Sequence, residues 1–505
     1  MPAEPYPGHV GDPADEGIEP PRPAQPPRPD GPVAGRYRRR LAAALIAVLA
    51  VPATHGALWL PSRGAGSSTQ AQQPPVGAPG QPGSSGGTSG SSGDPGGGSG
   101  GQVQSGDVPA PPAAAVTDLL DRRAAAVVAD DRAAWLSTVD RQVPGLLAEQ
   151  GEVFDRLSVV KPTSWRYELL DADASLPTRQ RAGLPRDAVI ARVRLRYRLS
   201  PGAPEVRREQ DVALVRRDRW LVAAPDVGPT QRDPWDLGPV AVARGPRSVV
   251  VALADGPLPT RRTASEADAA ARRVDAVWGS SWPRTSVVYV PRDVEQMAAL
   301  LGRSSTAGLA QLAAVTTGEN GGAGRTTGDR VVLNPLGFAE LTSTGRSAVL
   351  THELTHVATR ASARVTPPLW VDEGFADYVA YLGTTLRPRD LAADLLGSPR
   401  ALEALRDLPR DADFDPTVGE VGSAYAQAWL AMRFVAQQGG TPRVVDFYRV
   451  ATGLPPLRRW PEVRPPRASL QPRTPLERAC VEVLGYVQPS FVRRWLVYVR
   501  SLDTG

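Results

Sequence analysis

Two histidines lie four residues apart in the segment Thr351-His352-Glu353-Leu354-Thr355-His356. On a helix, residues at this spacing share one face, so both imidazoles can bind a single metal ion. The pattern suits Zn²⁺ with His352 and His356 as ligands, and it places Glu353 as general base towards a water molecule that the metal activates. The chain has only four histidines, and the other two, His9 and His55, fall in its first sixty residues.

A catalytic zinc takes three protein ligands, and the third can come from the segment Trp370-Val371-Asp372-Glu373-Gly374-Phe375-Ala376-Asp377-Tyr378. Pro367 and Pro368 break the chain just before it and can start a second helix, on which Glu373 projects. Asp377 lies one helical turn after Glu373, on the same face, where it can accept the free N–H of a metal-bound histidine. We predict Glu373 as the third ligand and Asp377 as an orienting carboxylate.

These two segments resemble the gluzincins, zinc peptidases in which His-Glu-x-x-His is followed by a later Glu. The stretch Glu-Gly-Phe-Ala-Asp-Tyr is most similar to the aminopeptidase branch and its membrane-anchored relatives, and the likeness covers roughly residues 245–440. The resemblance implies a zincin catalytic domain that hydrolyses peptide bonds. It also implies the same roles for the residues above: His352, His356 and Glu373 as ligands, Glu353 as base and Asp377 as the orienting acid.

The resemblance further implies a tyrosine, later in the chain, that stabilises the oxyanion of the reaction. Tyr425 is our candidate, because Ser423-Ala424-Tyr425-Ala426-Gln427 opens an apolar helix similar to the family's element. An ordinary buried tyrosine of the core is the alternative interpretation.

One motif departs from the family's pattern. The aminopeptidase branch carries Gly-x-Met-Glu-Asn before the zinc helix, and its Glu binds the free amine of the substrate. This chain has only Gly318-Glu319-Asn320, without the Met, in what we interpret as a glycine-rich loop. The amine-binding role is therefore not transferred, and both trimming from the N-terminus and internal cleavage stay open.

The patterns around the motifs predict a domain at residues 240–505. We expect its first half to contain a mixed sheet and its second half to be helical. Short β-branched runs at Ser248–Leu253 and Ser286–Val290 flank the helical stretch Ser265–Val277. A further strand, Val331–Asn334, comes just before the zinc helix. We expect this strand to be an edge strand that pairs with extended substrate.

The sequence pattern of residues 113–228 predicts a small α+β domain, with a helix from Ala113 to about Asp140 followed by an antiparallel sheet. In Arg192–Leu199, arginines alternate with apolar residues, which indicates a strand with one buried and one solvated face. Val212–Val215 and Trp220–Ala223 predict a hairpin. This order resembles the nuclear-transport-factor-like cone fold, and we assign no chemistry to it.

The first 112 residues hold much of the chain's 49 glycines and 52 prolines. Residues 1–40 predict a disordered cytoplasmic tail, and residues 61–112 a flexible Gly/Ser/Pro-rich linker. Between them, residues 41–60 carry no formal charge and are long enough for one transmembrane helix. Four arginines just before it predict a single-pass protein of the cell membrane with its catalytic domain extracytoplasmic. A cleaved export signal is the alternative.

The remaining composition narrows the class of protein. A single cysteine, Cys480, excludes a disulfide scaffold, and the net charge of +5 is not clustered, so we expect no nucleic-acid partner. The sequence predicts a multidomain α+β, membrane-anchored zinc metallopeptidase that acts on a peptide or protein substrate. The alternative is a membrane-tethered binding protein with an inactive, degenerate peptidase domain.

Overall fold

The computed structural model describes residues 51–53, 102–103, 111–228, 231–320, 326–417, 421–463 and 472–502. The predicted tail at residues 1–40 and most of the predicted linker at residues 61–112 lie outside these ranges. Two short strands come first along the chain, β1 (Val51–Ala53) and β2 (Gln102–Val103).

Residues 111–228 form an antiparallel sheet with helices packed against it. The elements are α1 (Ala113–Val128), α2 (Arg132–Leu136), α3 (Leu146–Val160), β3 (Ser164–Asp171), β4 (Leu176–Pro177), α4 (Thr178–Arg181), β5 (Val189–Arg198), β6 (Val206–Arg216) and β7 (Trp220–Ala224). Strands β3, β5, β6 and β7 pair in that order, all antiparallel, and β2 pairs with β4. The single helix expected up to Asp140 is two helices, because Asp130 takes left-handed backbone angles (φ 55°) and Asp131 caps α2.

The arginines of β5 lie on the partly exposed face of this sheet, as their alternation predicts. They pair with neighbouring carboxylates: Arg192 with Asp211 at 2.9 Å, Arg194 with Glu209 at 2.6 Å and Arg196 with Glu205 at 2.7 Å. Partly solvated pairs of this kind contribute little to stability individually. The row of arginines is therefore a solvated strand face whose charges are already balanced.

The second part of the chain begins with a six-stranded mixed sheet. Its elements are α5 (Pro234–Leu237), β8 (Val240–Arg244), β9 (Ser248–Leu253), α6 (Thr260–Trp278), β10 (Ser286–Val290), α7 (Val294–Leu300), β11 (Ala314–Asn320) and β12 (Thr326–Leu333). The strand order is β1-β11-β12-β10-β9-β8. Parallel pairs join β9 to β10, β10 to β12 and β1 to β11, whereas β8–β9 and β11–β12 are antiparallel.

The prediction that Val331–Asn334 forms an edge strand is wrong. Residues 331–333 belong to β12, which pairs with β10 on one side and β11 on the other. The cause is β11, which includes the Gly318-Glu319-Asn320 stretch that we interpreted as a loop. This stretch folds back as a strand and occupies the side of β12 that was expected to be free.

The predicted fold class included a transmembrane helix at residues 41–60, and that part of the prediction is wrong. Val51–Ala53, in the middle of that range, is extended and pairs in parallel with Thr317–Glu319 of β11, so it cannot be part of a continuous helix. Residues 41–50 and 54–60 lie outside the described ranges. Within those ranges, no helix combines the length and the apolar character that crossing a membrane requires.

The rest of the chain is helical. The helices are α8 (Pro335–Ala339), α9 (Ser343–Arg360), α10 (Leu369–Tyr381), α11 (Pro388–Leu391), α12 (Ala393–Leu396), α13 (Pro399–Ala404), α14 (Gly422–Ala436), α15 (Gly440–Ala451), α16 (Pro475–Ala479) and α17 (Gln488–Ser501). Helix α9 is buried on every side from Ala348 to Arg360, and α10 from Trp370 to Tyr381. Two helices buried on all faces are central to a core rather than on its surface.

One hydrophobic core runs through both parts of the chain. The ring of Tyr197 on β5 stacks on Trp165 at 5.3 Å, and its hydroxyl lies 2.9 Å from that of Tyr289 on β10. The antiparallel sheet is thus joined to the mixed sheet by buried aromatic contacts. The division into domains at residues 113–228 and 240–505 stays a prediction.

Helix α10 passes very close to α14 at Gly374. A Cβ atom built on Gly374 would lie 2.5 Å from the carbonyl oxygen of Ala428, a distance that atoms not bonded to each other do not reach. Only glycine at this position allows the two backbones to approach so closely. The contact fixes the position of α10, which carries Glu373 and Asp377.

We predict that Gly374→Ala lowers the free energy of unfolding by about 1–3 kcal/mol, because the added methyl group forces the two backbones apart. Gly337→Ala in α8 is the matched control, since its Cβ would meet Asn334 at an ordinary 3.5 Å. That control should be neutral or stabilising by up to about 1 kcal/mol through helix propensity. Urea unfolding followed by circular dichroism measures both, and equal stability of the two variants would contradict the packing argument.

Candidate metal centre

Helix α9 presents His352 and His356 on one face, as their spacing requires. The helix begins after Thr342, whose hydroxyl accepts a hydrogen bond from the backbone N–H of Gly345 at 3.1 Å. Both imidazoles are fully buried, and their rings meet edge to face with centroids 4.8 Å apart. A buried polar ring needs partners for both of its nitrogens.

Helix α10 brings Glu373 to the two imidazoles. The Nε2 atoms of His352 and His356 are 3.1 Å apart, and Glu373 Oε2 lies 3.1 Å from the first and 3.4 Å from the second. Ligand atoms that surround a zinc ion tetrahedrally at about 2.0–2.1 Å lie about 3.3–3.4 Å from one another. The three atoms therefore have the mutual spacing of ligands to one metal ion, and together they form a group that could hold one.

The charges around the cluster favour a cation at its centre. Burial by itself would lower the pKa of both imidazoles. The carboxylates of Asp377 and Glu373 nevertheless raise the pKa of His352 to about 10, and those of Asp372 and Glu373 raise the pKa of His356 to about 9. Glu373 Oε1 has no hydrogen-bond partner in the described part of the chain. Two imidazoles and a carboxylate are a donor set of catalytic zinc, so the residues present fit Zn²⁺.

Each imidazole is oriented by a carboxylate of α10. Asp377 Oδ1 lies 2.8 Å from His352 Nδ1, so the structure brings the predicted pair together. Asp372 Oδ2 lies 3.4 Å from His356 Nδ1, an ion-pair contact without the geometry of a hydrogen bond, and the sequence analysis missed it. The available signal was a third acidic residue, beside Glu373 and Asp377, on a helix whose other residues are apolar or aromatic. Such carboxylates set which nitrogen of the ring carries the proton and so leave Nε2 free for a metal.

Asp372 is itself held by two further side chains. The hydroxyl of Tyr448 donates to Asp372 Oδ1 at 2.6 Å, and the guanidinium of Arg360 lies 3.7 Å from Oδ2. Burial tends to raise the pKa of Asp372, but the charges of His356 and Arg360 hold it well below its ordinary value. Asp372 is therefore an ionised group that can stabilise positive charge on the ring of His356.

The carboxylate of Glu353, on α9, receives its hydrogen bond from a residue of the sheet. Thr316 of β11 lies with Oγ1 2.6 Å from Glu353 Oε2 and 3.2 Å from the main-chain carbonyl oxygen of the same residue. Glu353 Oε1 is buried and has no hydrogen-bond partner among the described residues. Burial raises the pKa of Glu353, which brings the carboxylate closer to the range suited to a general base. Sequence reasoning missed Thr316, although Ala314–Thr317 is a short run typical of a strand.

Tyr425 lies on α14, buried, with its ring edge-on to Phe414 at 5.1 Å. It lines a small cavity together with Asp377, Tyr381 and Asp394. Tyr425 and Asp377 thus face the same cavity. Its role in stabilising an oxyanion stays a prediction.

No protein-family model matches the chain, and no curated protein matches it. Among solved structures it is similar to an M1 zinc metallopeptidase from Deinococcus radiodurans. A mutant of that enzyme bound to a Tyr-ser-ala substrate aligns at 14% identity and TM-score 0.29, over 61% of this chain and 61% of that chain. A second structure of the mutant aligns at 15% identity and TM-score 0.30, over 66% of this chain and 70% of that chain. Because the identities and TM-scores are this low, the similarity does not indicate a function, which has to be inferred from the side chains of the site.

We predict that Asp372→Asn and Asp377→Asn each weaken zinc binding by about 10- to 100-fold, because each leaves one ligand imidazole without its orienting carboxylate. Competition with a chromophoric chelator measures the dissociation constant. Asp413→Asn is the matched control, since Asp413 pairs with Arg410 at the surface and should leave affinity unchanged. Equal affinities in all three variants would contradict the orienting role.

Proposed function

We propose that this protein is a zinc-dependent peptidase. The observation that carries the proposal is the convergence of His352, His356 and Glu373 at 3.1–3.4 Å beside the buried carboxylate of Glu353, which lies within electrostatic reach of both imidazoles. A Zn²⁺ ion held by these three residues would act as a Lewis acid that could polarise the scissile carbonyl and acidify water. The chain supplies the ligands for that ion and a base next to it.

Glu353 moves the protons of the reaction. Its Oε2 is held by Thr316, so Oε1, which has no partner within the described ranges, is the oxygen that accepts a proton from the attacking water. The protonated carboxyl group then delivers that proton to the nitrogen of the leaving amine. Because Thr316 bonds only one carboxylate oxygen, the other keeps its capacity to accept and release a proton.

Tyr425 is our proposed donor to the oxyanion that forms as water attacks the carbonyl. This role comes from the resemblance in the sequence, and Tyr425 is buried on α14, the helix that packs against α10 at Gly374. The substrate is a peptide or protein, and the extracytoplasmic location stays a prediction from the sequence.

We predict that Glu353→Gln retains zinc and loses peptide cleavage by about 100-fold or more, because the amide cannot accept the proton of water. The full-length protein is assayed against a mixed peptide library by mass spectrometry, and bound zinc is measured by atomic emission. Glu340→Gln, an exposed glutamate before the zinc helix, is the control and should behave as wild type. Absence of zinc, or cleavage unchanged in Glu353→Gln, would favour a non-catalytic binding protein.

We predict that Thr316→Val lowers kcat by about 10- to 100-fold, while zinc content stays the same. This factor corresponds to the free energy that a hydrogen bond to a charged group contributes. Valine keeps the shape of threonine and removes only the hydroxyl that bonds Glu353. Thr316→Ser should restore much of the rate, and the pH–rate profile of Thr316→Val should shift relative to wild type. A purely structural role would lower thermal stability without moving the pH profile.

A further inference from the structure

A cavity in the first part of the chain is lined both by helices and by the antiparallel sheet. Helices α1, α2, α3 and α5 and strands β3, β5 and β6 all contribute side chains to it. Its volume is about 80 Å³. A protein cavity that admits benzene has roughly twice this volume, so the space suits a molecule of about three to five non-hydrogen atoms. We call it the Arg123 cavity.

Among the described residues, three arginines line the Arg123 cavity, and two of them have carboxylate partners. Arg208 Nη1 lies 3.0 Å from Asp236 Oδ2, and Arg232 Nη1 lies 3.0 Å from Asp226 Oδ2. No described carboxylate forms an ion pair with the third arginine, Arg123. Two carboxylates of the lining are therefore already committed to other guanidinium groups, and the charge of Arg123 is not balanced by either.

The guanidinium of Arg123 is held by neutral groups. Its central carbon lies 3.4 Å from the ring centroid of Trp135, Nη1 donates to Thr138 Oγ1 at 2.9 Å, and Nη2 donates to Gln150 Oε1. The residue is only 3% exposed, and burial lowers the pKa of Arg123 because the positive charge is less stable away from water. Buried charges in proteins are normally paired, so the partner that this side chain lacks is an anion.

The rest of the lining suits the other parts of such an anion. In the described part of the chain, the only hydrogen bond of the Gln150 side chain is the one that its Oε1 accepts from Arg123, so its amide N–H groups remain as donors. Trp165, Tyr167 and Trp235 contribute aromatic surface. A guanidinium beside an amide matches the two oxygens of a carboxylate, and aromatic walls match a short apolar remainder.

The surrounding charge favours a ligand with a single negative charge. Glu149, in the first turn of α3, also lines the cavity, is exposed and forms no ion pair with a described residue. A dianion such as phosphate would be repelled by Glu149 more strongly than a monocarboxylate would be. A ligand that carries an ammonium group besides its carboxylate would in addition be attracted to Glu149.

We propose that the Arg123 cavity binds a small monocarboxylate. The oxygens of the ligand accept hydrogen bonds from the guanidinium of Arg123 and the amide of Gln150, and its short apolar remainder lies against the aromatic rings. The carboxylate belongs either to a simple organic acid or to a small free amino acid, and the two sources differ in whether Glu149 contributes. The inference does not rest on the proposed peptidase function, because none of the described lining residues belongs to the metal centre.

The test titrates the full-length protein with propionate, propionamide, glycine and phosphate, which are similar in size, and measures binding by ligand-observed NMR at constant ionic strength. We expect propionate to bind with a dissociation constant of about 0.1–10 mM, which lies within the limit for so small a ligand. Propionamide has the shape of propionate without its charge and should bind at least about tenfold more weakly. Phosphate should also bind more weakly than propionate.

Two variants change the cavity in different ways. Arg123→Gln removes the charge, and Val153→Phe fills the cavity from α3 while the guanidinium remains. We expect each to weaken propionate binding by about tenfold or more. Arg132→Gln is the matched control, because Arg132 pairs with Asp155 at 2.8 Å outside the lining, and it should leave the dissociation constant unchanged.

Thermal unfolding shows which variants are folded. If Arg123→Gln does not fold, Val153→Phe decides the test, since Val153 is only partly buried. No saturable binding of propionate or glycine to wild type overturns the proposal, and so does equal binding of propionate and propionamide, tighter binding of phosphate, or unchanged binding in the folded variants.

The two sources of the carboxylate are distinguished by glycine. Tighter binding of glycine than of propionate, with the difference lost in Glu149→Gln, identifies a free amino acid as the ligand. Tighter binding of propionate than of glycine identifies a simple organic acid. Either order supports a monocarboxylate site, provided that binding depends on Arg123 or on the space beside Val153.

Discussion

The metal centre depends on one physical constraint, the burial of several ionisable groups between two helices. His352, His356 and Glu373 are fully buried, and each would be costly there without a partner of opposite charge. The structure meets this requirement by alternating acid and imidazole from α10 and α9, so that each group stabilises the next. The cluster and the helix packing therefore have to form together.

The surrounding elements hold this cluster from three directions. Gly374 lets α14 approach α10, and Tyr448 on α15 reaches Asp372 while its ring stacks on Phe375 at 4.3 Å. The third direction is that of the sheet, where the hydroxyl of Thr316 donates a hydrogen bond to Glu353. Each contact is short-range, so small displacements of the helices would change ligand spacing before they changed the fold.

The sequence was sufficient where function depends on helical spacing. His352 with His356, and Glu373 with Asp377, each lie one helical turn apart, so their shared faces could be predicted without knowledge of the fold. Thr316 and Asp372 could not be assigned in this way, because their partners come from another strand or helix. The edge strand and the transmembrane helix were wrong for the same reason. Local hydropathy does not reveal that β11 pairs with β12, or that Val51–Ala53 pairs with β11.

The bond from Thr316 to Glu353 has a consequence for how such a protein can change over evolution. The groups that would retain a metal ion lie on α9 and α10, whereas the group that would perform proton transfer is held from β11. Loss of the strand contact would leave an intact metal-binding protein with slow chemistry. Metal retention and the rate of the proposed reaction would thus depend on different elements of one fold, so a substitution on the strand would slow the chemistry and leave the metal ligands in place.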